Sequence, residues 1–79
     1  MSSNKTSVHF RIFKDGDVIA LLPDESWDFK GNIASYMHIG QHSGASPELV
    51  DELPAATPEQ YGELKTELEH IGYELEVLA

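Results

Sequence analysis

The clearest pattern in the chain is a period of two in "VHFRIFKDGDVIALLP": Val8, Phe10 and Ile12 alternate with His9, Arg11 and Phe13, and an apolar run follows from Val18 to Leu22. Between them Asp15-Gly16 offers the two positive-φ positions of a type I′ turn, so the segment predicts a β-hairpin. With those two residues as the loop, Lys14 faces Asp17, Ile12 faces Ile19 and Phe10 faces Leu21, which gathers large apolar side chains on one face and pairs Phe13 with Val18 on the other. Pro23, with no amide for a ladder, predicts the end of the second strand. "PDESWDFKGN" reads as a loop, with Gly31-Asn32 as its turn and Trp27 and Phe29 as lids over an edge of the core. Alternation resumes in "IASYMHI", a third antiparallel strand with Ala34, Tyr36 and His38 on one side and Ser35, Met37 and Ile39 on the other; "GQHSGA" predicts a flexible connection.

The period then lengthens. Ser46-Pro47-Glu48 reads as an N-cap, an N1 proline and a dipole-favoured acid, opening a short helix through about Glu52 that Pro54 stops. Thr57-Pro58-Glu59-Gln60 is a capping box with proline at N1, and Tyr61, Leu64, Leu68 and Ile71 follow at spacings of three and four, a stripe that belongs on the sheet. Gly72 supplies a left-handed C-cap, and "YELEV" alternates as a last strand. The expected fold class is α+β: a small antiparallel sheet in the order β-β-β-α-α-β, its first helix short, with one main helix packed on one face. Residues 1–7 are expected to form a disordered tail and residues 8–79 a single domain. A sheet with unpaired edges leaves both a monomer and a weak homodimer open.

Composition narrows what such a domain does. At 79 residues, folding buries only about 60% of the unfolded surface, which leaves little room for an enclosed active site. The chain carries 14 Asp plus Glu against 5 Lys plus Arg, a formal charge of -9, beyond the magnitude of roughly 2 to 8 that keeps a small domain soluble. It should repel nucleic acid and anionic membrane and be drawn to basic protein grooves. The absence of cysteine excludes disulfides, thiolate metal sites and Cys nucleophiles, and fits a reducing cytosol. "MSSNKTS" has no apolar core of the kind a secretory signal needs, and no run approaches the roughly 20 apolar residues of a membrane helix, so a cytoplasmic location is expected.

The acids are not evenly spread. Glu59, Glu63 and Glu67 recur every four residues, an expected ridge rising about 6 Å per step, close to the spacing of phosphates on a strand. Each such like-charge pair costs an isolated helix about 0.2 to 0.5 kcal/mol. Asp24, Glu25 and Asp28 in the long loop, Glu48, Asp51 and Glu52 around the short helix, and Glu74 and Glu76 on the last strand add further clusters. A merely solvated face accounts for part of this, since glutamate is a good helix former and Glu59 and Glu63 gain from the helix dipole. Several acidic clusters with few cations on so small a domain favour a partner-binding surface. Carboxylates set where a basic groove expects phosphates gain the same attraction and counterion release as nucleic acid. Trp27, between Glu25 and Asp28, has the surroundings of an interface anchor as well as of a lid.

Other chemistry finds less support. Ser26, Ser35, Ser43 and Ser46 stand in no Gly-x-Ser-x-Gly motif, and "GQHSGA" lacks the closing Gly-Lys-Ser/Thr of a phosphate loop. His38 and His42 have the separation of some zinc ligands, with His9 and His70 in reserve, but that geometry needs a helix which Ile39-Gly40-Gln41 does not promise. His70 is accounted for by the C-terminal helix dipole. No catalytic residue, cofactor or metal is expected.

Three segments, "FRIFKDGDVIALLP", "SYMHIGQHSGAS" and "ATPEQYGELKTELEHIGYELEV", together resemble short proteins encoded by phages and other mobile elements, over nearly the whole span from Val8 to Val77. In size and acidity the chain is also similar to anti-CRISPR proteins, in particular DNA-mimicking inhibitors of type I systems, type I-C included. The resemblance implies a non-enzymatic inhibitor whose basic partner is a Cascade-type CRISPR effector complex in a bacterial host, with an Arg- and Lys-lined DNA channel to occupy. It carries over no binding residue by position. The alternative is a small acidic accessory or regulatory domain that binds a basic host protein without competing with DNA.

Overall fold

Ile19, Ala20, Leu21 and Leu22 are all buried, so the strand that holds them needs cover on both faces. The computed structural model describes residues 5–37 and 41–78. Strands β1 (Thr6–Ile12), β2 (Val18–Ser26), β3 (Ile33–Met37) and β4 (Gln41–Ala45) form an antiparallel meander, and β5 (Leu75–Leu78) adds to the outer side of β1, giving the order β4-β3-β2-β1-β5. Helices α1 (Leu49–Glu52) and α2 (Pro58–Ile71) lie between β4 and β5 in the chain. The α+β class and the main helix on the sheet are as the sequence predicts.

The first hairpin forms with a different register. Its loop has three residues: the Phe13 amide donates to the Asp17 carbonyl at 2.8 Å and the Gly16 amide to the Phe13 carbonyl at 3.0 Å. Gly16 takes a positive φ of 96°, but Asp15 does not, so the type I′ turn is not made. The Asp15 carboxylate instead accepts from the Asp17 amide at 3.0 Å. Phe10 therefore faces Ala20, not Leu21, and Ile12 faces Val18, not Ile19. A one-residue slip moves a strand's side chains to the opposite face, and an unbroken apolar run permits it because neither face is polar.

Two cores result. On one face Val8, Phe10, Ala20, Leu22, Ala34 and Tyr36 pack with Leu64 and Leu68 of α2, and the Phe10 ring stacks on Tyr61 with centroids 4.3 Å apart. On the other, Ile19, Leu21 and Ile33 are covered by Phe13 and Met37 and by Leu49, Val50 and Leu53 in and beside α1. The short helix thus closes the second face. Arg11 fastens it there: buried between β1 and α1, its Nε donates to the Val50 carbonyl at 2.9 Å and a terminal nitrogen to the Phe10 carbonyl at 3.1 Å. Such bonds are needed because a buried guanidinium without acceptors would be costly.

The outer side of β1 is shared by two segments. β5 runs parallel to it, Thr6 facing Leu75 and His9 facing Leu78. Beyond them, Ile12 donates to the Pro54 carbonyl at 3.1 Å and the Ala56 amide to the Phe10 carbonyl at 3.0 Å. The sheet is mixed, not antiparallel, because α2 crosses it and returns the chain in the direction of β1.

Four other expectations change. Pro23 does not end β2; a register shift between Leu22 and Ser26 bulges Pro23-Asp24-Glu25 out of the ladder, and Ser26 pairs again with Ile33. The "GQHSGA" connection contains β4, whose weak strand formers are held by pairing with β3 and by the bond from Ser35 Oγ to the Ser43 carbonyl at 2.9 Å. β1 begins at Thr6, inside the expected tail, and Met1 to Asn4 lie outside the described residues, as do His38 and Ile39 of the third strand. The apolar stripe of α2 stops at Leu68: Ile71, one residue before the positive-φ cap at Gly72, is 53% exposed, and Val77 on the edge strand β5 is also exposed. The start of α2 is as predicted, with Gln60 N donating to Thr57 Oγ1 at 3.3 Å and Thr57 N to Gln60 Oε1 at 2.8 Å. α1 proper begins at Leu49, and Ser46 Oγ accepts from the Glu48 amide at 3.3 Å just before it.

Gly44 in β4 has no positive φ; it is needed for room. A Cβ there would lie 2.9 Å from Trp27 Nε1 and closer still to Cδ1. Gly44→Ala should therefore push the indole off β4, red-shift its fluorescence and cost about 1 kcal/mol in urea unfolding. In a Trp27→Ala background the same change should be neutral or stabilise by about 0.4 to 1 kcal/mol, because only the unfolded-chain entropy remains. Equal effects in both backgrounds would rule out the indole as the reason for the glycine.

Candidate functional site

Helix α2 lies on the sheet through Leu64 and Leu68, which fixes where its glutamates point. A spacing of four in a helix of 3.6 residues per turn drifts by about 40° per step, so the third member of a Glu59, Glu63, Glu67 series stands about 80° from the first. Glu59 and Glu63 are exposed, but Glu67 has rotated toward the sheet and accepts a hydrogen bond from the Tyr36 hydroxyl at 2.6 Å. The expected ridge of three is two acids on the surface and one anchored to β3. Glu69, further along, pairs with Lys65 at 2.8 Å.

Glu59 and Glu63 gain a different neighbour. Together with Gly16, Asp17, Val18, Gln60 and Leu64 they line an open cleft of about 210 Å³ between the first hairpin and the start of α2. Asp17 is exposed, as is Asp15 beside it. From the sequence Asp15 reads only as a turn residue and Asp17 only as the residue facing Lys14; what marks them is that the hairpin loop lands beside the N-terminus of α2. Among the described residues no cation pairs with Asp17, Glu59 or Glu63. The positive end of the helix dipole stabilises Glu59, which lies in its first turn.

The remaining predicted acids do not join this cleft. Glu48, Asp51 and Glu52 are exposed just before and on α1, across the sheet from α2, and Glu74 and Glu76 are exposed just before and in the edge strand β5. Asp24 and Glu25 are exposed in the β2 bulge at the opposite end of β2 from the first hairpin. Asp28 is occupied internally: its Oδ1 accepts from the Lys30 amide at 2.9 Å and the Asn32 amide at 3.3 Å, and its Oδ2 from Asn32 Nδ2 at 2.9 Å. The Asn32 side chain and then the Lys30 amide hold this carboxyl below its ordinary pKa. Trp27 lies against Gly44 and remains 48% exposed.

Tyr36 and Glu67 belong to a polar group over the α2 face. The His42 ring stands edge-on to Tyr36 with centroids 4.8 Å apart, and its Nε2 lies 3.0 Å from the Tyr73 hydroxyl. His42 is thus a β4 residue engaged with Tyr73, not a loop residue; His38, the other member of the His-x3-His spacing, lies outside the described residues. Among the described residues no cluster of three or more His, Asp or Glu is arranged to hold a metal, and no helix is long and apolar enough to cross a membrane.

The hydrogen bond to Glu67, then burial, then the Glu67 charge raise the Tyr36 phenol above its ordinary pKa. A raised pKa means the folded state favours the neutral phenol, so this contribution is complete below the unfolded value near 10 and is lost as pH climbs through the folded one. Absorbance titration should show one of the three tyrosines ionising late. Glu67→Ala should bring that ionisation down and lower Tm by a few degrees, about the shift expected for one lost hydrogen bond in a domain of this size. Glu59→Lys with Glu63→Lys should leave the titration alone and change stability by no more than about 0.5 kcal/mol, since relief of repulsion offsets the lost dipole interaction. If Glu67→Ala altered neither the titration nor Tm, the residue would belong on the outward ridge.

No protein-family model matches the chain, and no curated protein or solved structure matches it.

Proposed function

We propose that the protein is a non-enzymatic inhibitor that presents carboxylates to the basic, nucleic-acid-binding surface of a partner, in the manner of a DNA-mimicking anti-CRISPR protein acting on a Cascade-type effector complex. The observation that carries this reading is the cleft between the first hairpin and α2, where Asp17, Glu59 and Glu63 converge without a pairing cation among the described residues. Like charges held together by a fold gather counterions, and the release of those ions when a partner's cations take their place favours binding, as it does for phosphates. Glu48, Asp51 and Glu52 on the far side contribute to long-range attraction more than to contact, because one flat surface cannot touch both faces of the sheet. Inhibition by occlusion needs no chemical step: one molecule blocks one site for as long as it stays bound.

The test is competition. Purified effector complex, titrated with the protein, should lose target DNA binding at a fixed molar ratio, and EDTA treatment of the protein should not matter. Binding should weaken as salt rises, since the Debye length falls from about 10 Å at 0.1 M to about 3 Å at 1 M. Glu59→Lys with Glu63→Lys should weaken inhibition with little change in Tm. Simultaneous binding of DNA and protein to one complex would favour the accessory-domain alternative, and inhibition below stoichiometric ratios that outlasts removal of the protein would show that it is an enzyme.

A further inference from the structure

The loop joining β2 to β3 holds a feature that the acidic cleft does not explain. Phe29 has 110% of the accessibility of a reference phenylalanine, so its ring is wholly in water. Trp27, two residues earlier, is 48% exposed, and the pair makes up half of the large exposed apolar side chains among the described residues. Folding normally draws such rings inward, since burying a phenylalanine is favourable by about 1.5 to 3 kcal/mol.

The loop is built to hold Phe29 out. The Asp28 carboxylate accepts from the Lys30 and Asn32 amides and from the Asn32 side chain, Ser26 Oγ donates to the Asp28 carbonyl at 3.3 Å, and the Trp27 amide donates to the Asn32 carbonyl at 2.9 Å. Gly31 completes the turn with φ 90°. The Trp27 indole rests on Gly44 and braces one side. An aromatic side chain presented by a fixed loop loses little conformational entropy on binding.

The flanking charges state what it would meet. Asp24 and Glu25 are exposed just before the aromatic pair in the chain, Asp28 is consumed by the loop, and Lys30 is the one cation in the segment. With a net charge of -9 behind them, these groups disfavour an anionic partner. Exposed aromatic faces bordered by carboxylates suit a guanidinium, which stacks on the ring while its edge pairs with an acid. We propose that the Trp27–Phe29 loop is a docking surface for an arginine-bearing segment of a protein partner, with Phe29 as the anchor and Asp24 and Glu25 as its charged rim. It lies at the other end of β2 from the hairpin cleft and does not depend on what that cleft binds.

Nona-arginine and nona-lysine peptides carry equal charge and serve as probes, with the single tryptophan as reporter and calorimetry as a second readout. Nona-arginine should bind about two- to fivefold more tightly than nona-lysine and change the Trp27 emission. Phe29→Ala, at a fully exposed position, should leave Tm unaltered and abolish that preference, while Asp24→Asn with Glu25→Gln should weaken both peptides. The proposal fails if neither peptide binds, or if Phe29→Ala keeps the preference; its removal by Glu59→Lys with Glu63→Lys would then place the arginine at the hairpin cleft. It fails equally if sedimentation shows self-association that Phe29→Ala abolishes, because the occupant would then be a second copy of the chain.

Discussion

The structure depends on one requirement: β2 carries four consecutive buried residues, two for each face of the sheet. A strand of that kind is usual in larger domains, where helices cover both sides. Here 79 residues must supply both covers. The chain meets the need unequally, with fourteen residues of α2 on one face and four of α1 on the other. So small a helix cannot be held by apolar contact alone, which gives the buried Arg11 its place: its hydrogen bond to the Val50 carbonyl fixes α1 over Ile19 and Leu21.

The covers also carry the charge. Nine of the 14 carboxylates but only one of the 5 lysines and arginines follow Ala45, so the meander is close to neutral and the helices and last strand are strongly acidic. Because α1 and α2 lie on opposite faces, this asymmetry wraps the sheet and does not make one continuous acidic plane. A field of that form draws a cationic partner from many directions, and close contact is decided by local detail. Two local details differ in kind: the carboxylates beside the first hairpin, and the aromatic loop at the far end of β2.

Much of the fold was legible because local chemistry and tertiary demand agree. The Thr57 to Gln60 capping box, the Leu64 and Leu68 stripe and the Gly72 cap lie where their residues place them. The first hairpin was legible as a hairpin but not in register, because its turn type rests on whether Asp15 takes a positive φ, and an all-apolar β2 accepts either pairing. β4 was hidden since its glycine answers to Trp27, a residue seventeen positions away, and not to local propensity. At the candidate site, a spacing of four suggested a straight ridge; the drift of a real helix turned Glu67 inward to Tyr36, while Asp17 came into the cleft through a contact between distant elements that no motif encodes.

The pairing of Thr6 with Leu75 has a consequence for biosynthesis. The four-stranded meander by itself would leave both apolar faces and the outer side of β1 bare, so a nascent chain has no stable sheet until the helices and β5 have also been made. The meander segment is also nearly uncharged, the condition in which exposed strands associate most readily. The acidic stretch that follows brings the two covers, the closing strand and the mutual repulsion between copies together, so one segment both completes the fold and keeps copies apart.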